Sequence, residues 1–379
     1  MGVPPAGRRP TPALSIRTHT GTGTDIGRGM HIKDLAADRS AEGLPDLFTV
    51  VLAKDRAAVA ANELLHRVVA RQYLVRLLRA VRRLRTERPA APQLTAVAAL
   101  LDAADLDTAF DWATRPDVTG WIWRSGMSGA DPAELLDQLG RCLAGEPAGA
   151  AASVPLGRHP AVPVITPGTS ARSAQLFDWA SEGDERPLAL DPVRAAAFAA
   201  RVRAAAEVLG RLWPEGLDTA ATDIRAFAAL GGHRGLRPLN FSVHGLRGLV
   251  LTSERPAYML AQTLVHEATH QRFSGILDCV AVVRNPTATH YSPFVDAERP
   301  LGHILHGILS FINDVHAARR CLAAETDESE SRRIERYVAL KTDQLRLAEK
   351  NFHEVAEPTA HGERLFEGCR AAIASLSHG

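Results

Sequence analysis

His266 and His270 stand four residues apart, with Glu267 beside the first, in the run Leu264-Val265-His266-Glu267-Ala268-Thr269-His270. On a helix this spacing puts both imidazoles on one face, one turn above the other, so that two ring nitrogens can bind a single metal ion. Glu267 can hydrogen-bond a metal-bound water or orient a ligand. In zinc peptidases the same HExxH pattern uses its glutamate as the general base. Met259, Leu260, Leu264, Val265 and Phe273 are apolar, so the other faces of such a helix would pack and its histidines would face an interior cleft.

Two histidines are too few for a catalytic metal site, which usually has three protein ligands. A metzincin extension would need a glycine and a further histidine where this chain has Phe273 and Ile276. A thermolysin-like site would take a glutamate from a following helix, and no Glu occurs between Arg299 and Arg320. The histidines at hand are His290, His303, His306 and His316. His306 is the candidate third ligand, near the start of a helix patterned by Leu301, Ile304, Leu305, Ile308, Phe311 and Ile312. Gly302 and Gly307 are expected to allow this helix close to the motif helix. His303, one turn earlier, is the alternative ligand.

The elements that must position these residues are mainly helical. Apolar positions recur at helical spacing over 53–85 and are expected again over 94–110 and 190–212. Asp131-Pro132 and Asp191-Pro192 each offer an N-cap followed by proline at the first helical position. Trp121 and Trp123 are expected as packing anchors around a short turn. Leu239 to Thr252 reads as a small hairpin leading into the motif helix, which should run from Ala257 to about Ile276. A charged helix is expected over about 329–354. The fold class expected is mainly α (α+β): a multi-helix core with a small β-hairpin or sheet beside the metal-binding helix. The divisions expected are a disordered tail over 1–45, an N-terminal helical region over 46–143, a loop or linker over 144–188, and a metal-binding catalytic region over 189–379.

Composition narrows the partners. The chain has 379 residues, 46% hydrophobic and 23% charged, with a formal net charge of +1, so no overall field draws it to nucleic acid or a membrane. Aromatics are 5%, which favours helices over an all-β sandwich. The four cysteines lie far apart without a CxxC pair, arguing against a disulfide framework or a zinc ribbon. No apolar stretch approaches a membrane span and the start lacks a secretory h-region, so a cytoplasmic location is expected. The oligomeric state is open.

The order of motifs over roughly 239–320 resembles the HExxH-motif peptide-modification proteins that accompany ribosomally made, post-translationally modified peptides. The matching text is Leu264 to His270, then Tyr291-Ser292-Pro293-Phe294, Arg299-Pro300-Leu301 and Leu305-His306-Gly307. Glu357 to Arg364 is similar to the family's C-terminal ending, with Pro358 and Glu363 as departures. The resemblance implies a 2-oxoglutarate-dependent peptide β-hydroxylase using Fe(II) and O2 on a precursor peptide. His266, His270 and His306 would then be the iron ligands, with Glu267 beside the metal. A co-substrate carboxylate needs a cation, and Arg299 is the candidate fork for it. Tyr291 is the candidate hydrogen-bonding partner, and Ser242 and Thr252 are possible polar contacts. The alternatives are a Zn(II)-dependent HExxH peptidase and a non-catalytic peptide-binding protein with a structural metal.

Overall fold

Aspartates open many of the helices, because a carboxylate at the N-cap accepts a backbone N–H that the helix leaves unpaired. In the computed structural model, which describes residues 46–51, 55–127, 131–145, 150–180, 187–231, 240–243, 245–325 and 327–376, Asp55 caps α2 (Arg56–Glu87). The short α1 (Leu47–Val51) precedes it. Asp105 caps α4 (Leu106–Thr114) and thereby separates it from α3 (Pro92–Ala103), where one helix was expected. Asp131 and Asp191 cap α6 (Pro132–Leu143) and α8 (Pro192–Leu212), each with proline in the first turn. The tail expected over 1–45 lies outside the described residues.

Trp121 and Trp123 lie on a helix, α5 (Pro116–Ser125), and not around a turn. Trp121 is fully buried and donates its indole N–H to the Leu135 carbonyl at 2.6 Å, whereas Trp123 is 43% exposed. The stretch 144–188 is also more than a linker. It forms β1 (Ala150–Leu156), β2 (His159–Ile165) and α7 (Ala171–Ala180). Its small residues hid this, but Val154, Leu156, Val162, Val164 and Ile165 are all buried.

After α9 (Pro214–Asp223) come β3 (Ala226–Leu230), β4 (Asn240–Ser242) and β5 (Leu249–Ser253). The five strands join in the order β1-β2-β3-β5-β4. β1 with β2 and β4 with β5 are antiparallel; β2 with β3 and β3 with β5 are parallel. The expected hairpin is therefore present, and β5 also pairs with β3 on its other side. β3 and β5 are buried throughout, as strands covered on both faces must be. Ala226, Ala228, Leu249 and Leu251 face a core shared with the N-terminal helices, while Phe227, Ala229 and Val250 face a second core with α8 and α9.

The motif helix α10 (Ala257–Cys279) belongs to both cores: Leu260, Leu264, Val265 and Ala268 to the second, Phe273 and Ile276 to the first. A separate hairpin, β6 (Thr289–Ser292) and β7 (Ala297–Pro300), leads into α11 (Leu301–Ala324). α12 (Glu328–Val355) and α13 (Ala360–Ser375) complete a mainly α chain with a small sheet beside the motif helix.

A polar knot ties these layers to α10. Arg272, 2% exposed, donates to Asp223 Oδ2 from Nε at 3.0 Å and from an Nη at 2.8 Å. It also donates to Asn62 Oδ1 of α2 at 3.0 Å and to the Val51 carbonyl at the end of α1 at 3.2 Å. Asn313 of α11 donates to that same carbonyl at 2.9 Å and to Thr269 Oγ1 at 3.0 Å. Breaking a buried pair by neutralising one partner strands the other charge, so Asp223→Asn should lower the unfolding free energy by about 3 kcal/mol. Urea unfolding checks this as a lower midpoint. Asp137→Asn, which breaks the exposed pair with Arg141 on α6, should leave that midpoint nearly unchanged.

Candidate metal centre

α10 holds His266 and His270 on one face, with their Nε2 atoms 3.0 Å apart. Two ligands at about 2.1 Å from one ion and at right angles to it are themselves about 3.0 Å apart, so this pair has the spacing of neighbouring ligands. α11 brings the next two groups. His306 Nδ1 lies 3.1 Å from His270 Nδ1, and Asp314 Oδ2 lies 3.0 Å from His266 Nδ1. His303, on the same helix, is exposed. His290 instead faces Glu354 at 3.6 Å, and His316 packs beside Trp213.

As the rings stand, His270 turns one nitrogen to each neighbour, and among the described residues no group of three His, Cys, Asp or Glu side chains surrounds a single point. The pairs are in place and the third imidazole is in contact. Phe273 lies edge-on to His306 and Phe311 edge-on to His266, closing the cluster with apolar rings.

Asp314 is the partner that sequence reading missed. It lies eight residues beyond His306 on α11, near enough to two helical turns to share its face, and that spacing was the signal for it. A carboxylate on Nδ1 fixes the tautomer of His266 and leaves Nε2 to face a metal. Tyr337 of α12 donates its hydroxyl to the same Oδ2 at 2.9 Å and holds the carboxylate in turn. Gly307 has a different role from the one expected. A Cβ there would stand 2.7 Å from the Phe294 ring, so the glycine admits Phe294 of the β6–β7 loop, and Gly302 meets only the Pro286 carbonyl at 3.8 Å.

Burial alone would push His266 down, but the charge and hydrogen bond of Asp314, with Glu267, outweigh it and leave the ring above the ordinary histidine range. His270 goes the other way. Burial, then the neighbouring His266, His306 and His303, hold it well below that range, as a neutral, ligand-ready imidazole. Glu267 is 1% exposed, and its burial pushes it above the usual carboxylate range although Asn240 and Ser242 favour the ionised form. Asn240 of β4 donates to Glu267 Oε1, and Arg255 donates to Asn240 Oδ1 at 3.1 Å and so sets the orientation of that amide. Glu267 Oε2 is buried with no hydrogen-bond partner among the described residues.

The other expected contacts lie elsewhere. Arg299 is exposed on β7, where its charge reaches His303. Tyr291 donates its hydroxyl to Asp296 across the same hairpin at 2.7 Å. Among the described residues the structure brings neither into contact with the three imidazoles. Thr252 is buried in β5 and bonds the Ser253 carbonyl. The cations that do approach are Arg255, through Asn240, and Lys341 of α12, whose Nζ sits 4.0 Å from the centre of the Phe311 ring.

No known protein family matches the chain, and no curated protein matches it. The site is therefore read from its own geometry. Loaded with Fe(II) or Zn(II), the protein should hold about one equivalent, and His266→Ala or His270→Ala should each lose it, as read by elemental analysis. Asp314→Asn should keep the fold and weaken metal affinity by about 10–100-fold. An unchanged affinity in that variant would show that the carboxylate does not orient a ligand.

Proposed function

We propose that the chain is an Fe(II)- and 2-oxoglutarate-dependent oxygenase that hydroxylates a side-chain β-carbon of a ribosomally made precursor peptide. The observation that carries this reading is the half-buried contact of three imidazoles, His266, His270 and His306, at 3.0 and 3.1 Å. The donor set fits ferrous iron: imidazole suits iron as well as zinc, and three facial histidines leave positions for co-substrates. Held by His266, His270 and His306, a ferrous ion would supply, with 2-oxoglutarate and O2, the oxidant for a hydroxylation in which one oxygen atom enters the peptide C–H bond and the other goes into succinate as CO2 is released.

The chain's own residues do the rest. Asp314 and Tyr337 orient His266, and Glu267 is held beside the ligands by Asn240 and Arg255. A keto acid's distal carboxylate needs a cation, and the candidates beside the site are Arg255, which bonds Asn240, and Lys341, over the Phe311 ring, whereas Arg299 is exposed on β7. β4 is an edge strand of the sheet and carries Asn240 and Ser242 against Glu267. A peptide added along that edge would run past the metal side of α10. No helix among the described residues is long and apolar enough to cross a membrane, and the reading puts the protein in the cytoplasm with its peptide.

One observation favours a second reading. The unpartnered Oε2 of Glu267 is what a zinc peptidase would use as general base on a metal-bound water. Anaerobic Fe(II)-loaded protein titrated with 2-oxoglutarate separates the two. The oxygenase should give a saturable visible charge-transfer band, lost in His306→Ala and kept in His303→Ala. Absence of a band, with tightly retained zinc and peptide cleavage abolished by Glu267→Gln, would establish the peptidase instead.

A further inference from the structure

A cavity of about 400 Å3 opens between the α4–α5 junction, α7 and the start of β3, and no residue of the metal centre lines it. Its floor is apolar, with Val162, Ile165 and Leu176 buried along it. Its polar wall is cationic. Arg115 donates to Asp117 Oδ1 at 3.2 Å and Oδ2 at 2.9 Å, and Arg172 pairs with the same Oδ2. Asp117 is 5% exposed and Arg172 9%, so two guanidiniums share one buried carboxylate.

Arg225 adds a third cation. Its Nη2 lies 2.9 Å from His66 Nε2, and its Nε is buried with no hydrogen-bond partner among the described residues. Burial, then Arg225 itself, holds His66 well below the ordinary range, so that ring offers a lone pair and no charge. His159, also in the wall, is lowered by burial and Arg225. The nearby Asp223 is already shared by Arg272 and Arg247. Asp111, at the exposed rim, is the second carboxylate of the lining. Among the described residues the lining therefore carries three guanidiniums against two carboxylates, and a surplus of positive charge in a partly apolar recess favours an anionic guest.

We infer that this cavity is a second binding site, separate from the metal centre, for a carboxylate carried on an apolar body. Guanidinium forks suit the planar carboxylate, and the apolar floor suits an aliphatic chain. Two sources share that chemistry, a free aliphatic acid and the C-terminus of an apolar peptide.

The test is calorimetric titration of the full-length protein with hexanoate and hexanamide, and with acetyl-Ala-Leu-Leu as free acid and as amide. At least one acid should bind saturably and at least about tenfold tighter than its amide, the size of one lost charge-assisted hydrogen bond. Which acid does so identifies the source. Arg225→Gln should weaken that binding about tenfold. Asp111→Asn is a surface change that leaves the fold intact, and it should tighten binding severalfold by removing a repelling charge. Affinity should be the same with and without added Fe(II). Acid and amide binding equally, neither acid binding, no tightening in Asp111→Asn, or a requirement for metal would each overturn the site.

Discussion

The placing of the candidate metal centre depends on Arg272, a guanidinium buried in the helix that carries both motif histidines. An isolated guanidinium there would be intolerable, so the fold is arranged to surround it. Asp223 from α9, Asn62 from α2 and the terminal carbonyl of α1 all converge on it. Each of those groups belongs to a different element that packs against α10. The pair does not add much net stability over an apolar substitute, because desolvation offsets most of the Coulomb gain. What it imposes is position: α10 has one rotation and one depth at which all four donors of Arg272 and Asn313 are satisfied. His270 sits two residues before Arg272, so its direction is set by the same contacts.

The two histidines of the motif differ in electrostatic character despite identical spacing. Asp314 and Tyr337 hold one by hydrogen bonds, and the other lies between two imidazoles, His266 and His306. A cation brought between them would meet a ring already polarised by a carboxylate and a ring already neutral. The neutral ring favours metal over proton, since a proton on a ligand nitrogen competes directly with the ion, whereas on His266 the carboxylate that orients the ring strengthens its hold on a proton as well. The glutamate between them is a different case, because a carboxylate pushed up by burial is stabilised when a positive ion arrives beside it.

Much of this was legible in the chain because it is local. The one-turn spacing of His266 and His270, the aspartate-proline helix starts and the hairpin before α10 all depend on residues within a few positions of each other. Fold class followed from the same periodicities. What stayed hidden depends on pairing across long separations. β1 and β2 are made of small residues that read as a linker, and they become strands because β3 and two packed layers accept them. Arg272 reads as a surface arginine, and Asp314 as one more acid on a helix, until their partners are known. Arg299 and Tyr291 have suitable types and lie near the motif in the chain, but the β6–β7 hairpin pairs Tyr291 with Asp296 and leaves Arg299 exposed.

The carbonyl of Val51 accepts from donors 221 and 262 residues further along the chain. Synthesis is sequential, so α1 and α2 leave the ribosome long before α10, and α10 before α11. Until Asn313 has emerged, the helix bearing both motif histidines is locked by Arg272 at most and lacks its packing partner. Contacts of such separation close late and slowly. The nascent chain therefore exposes an apolar, histidine-bearing helix until the segment that carries Asn313 has been made. Any metal held between this helix and α11 would accordingly enter after both have been made, and a growing chain has every reason to engage a chaperone before it engages an ion.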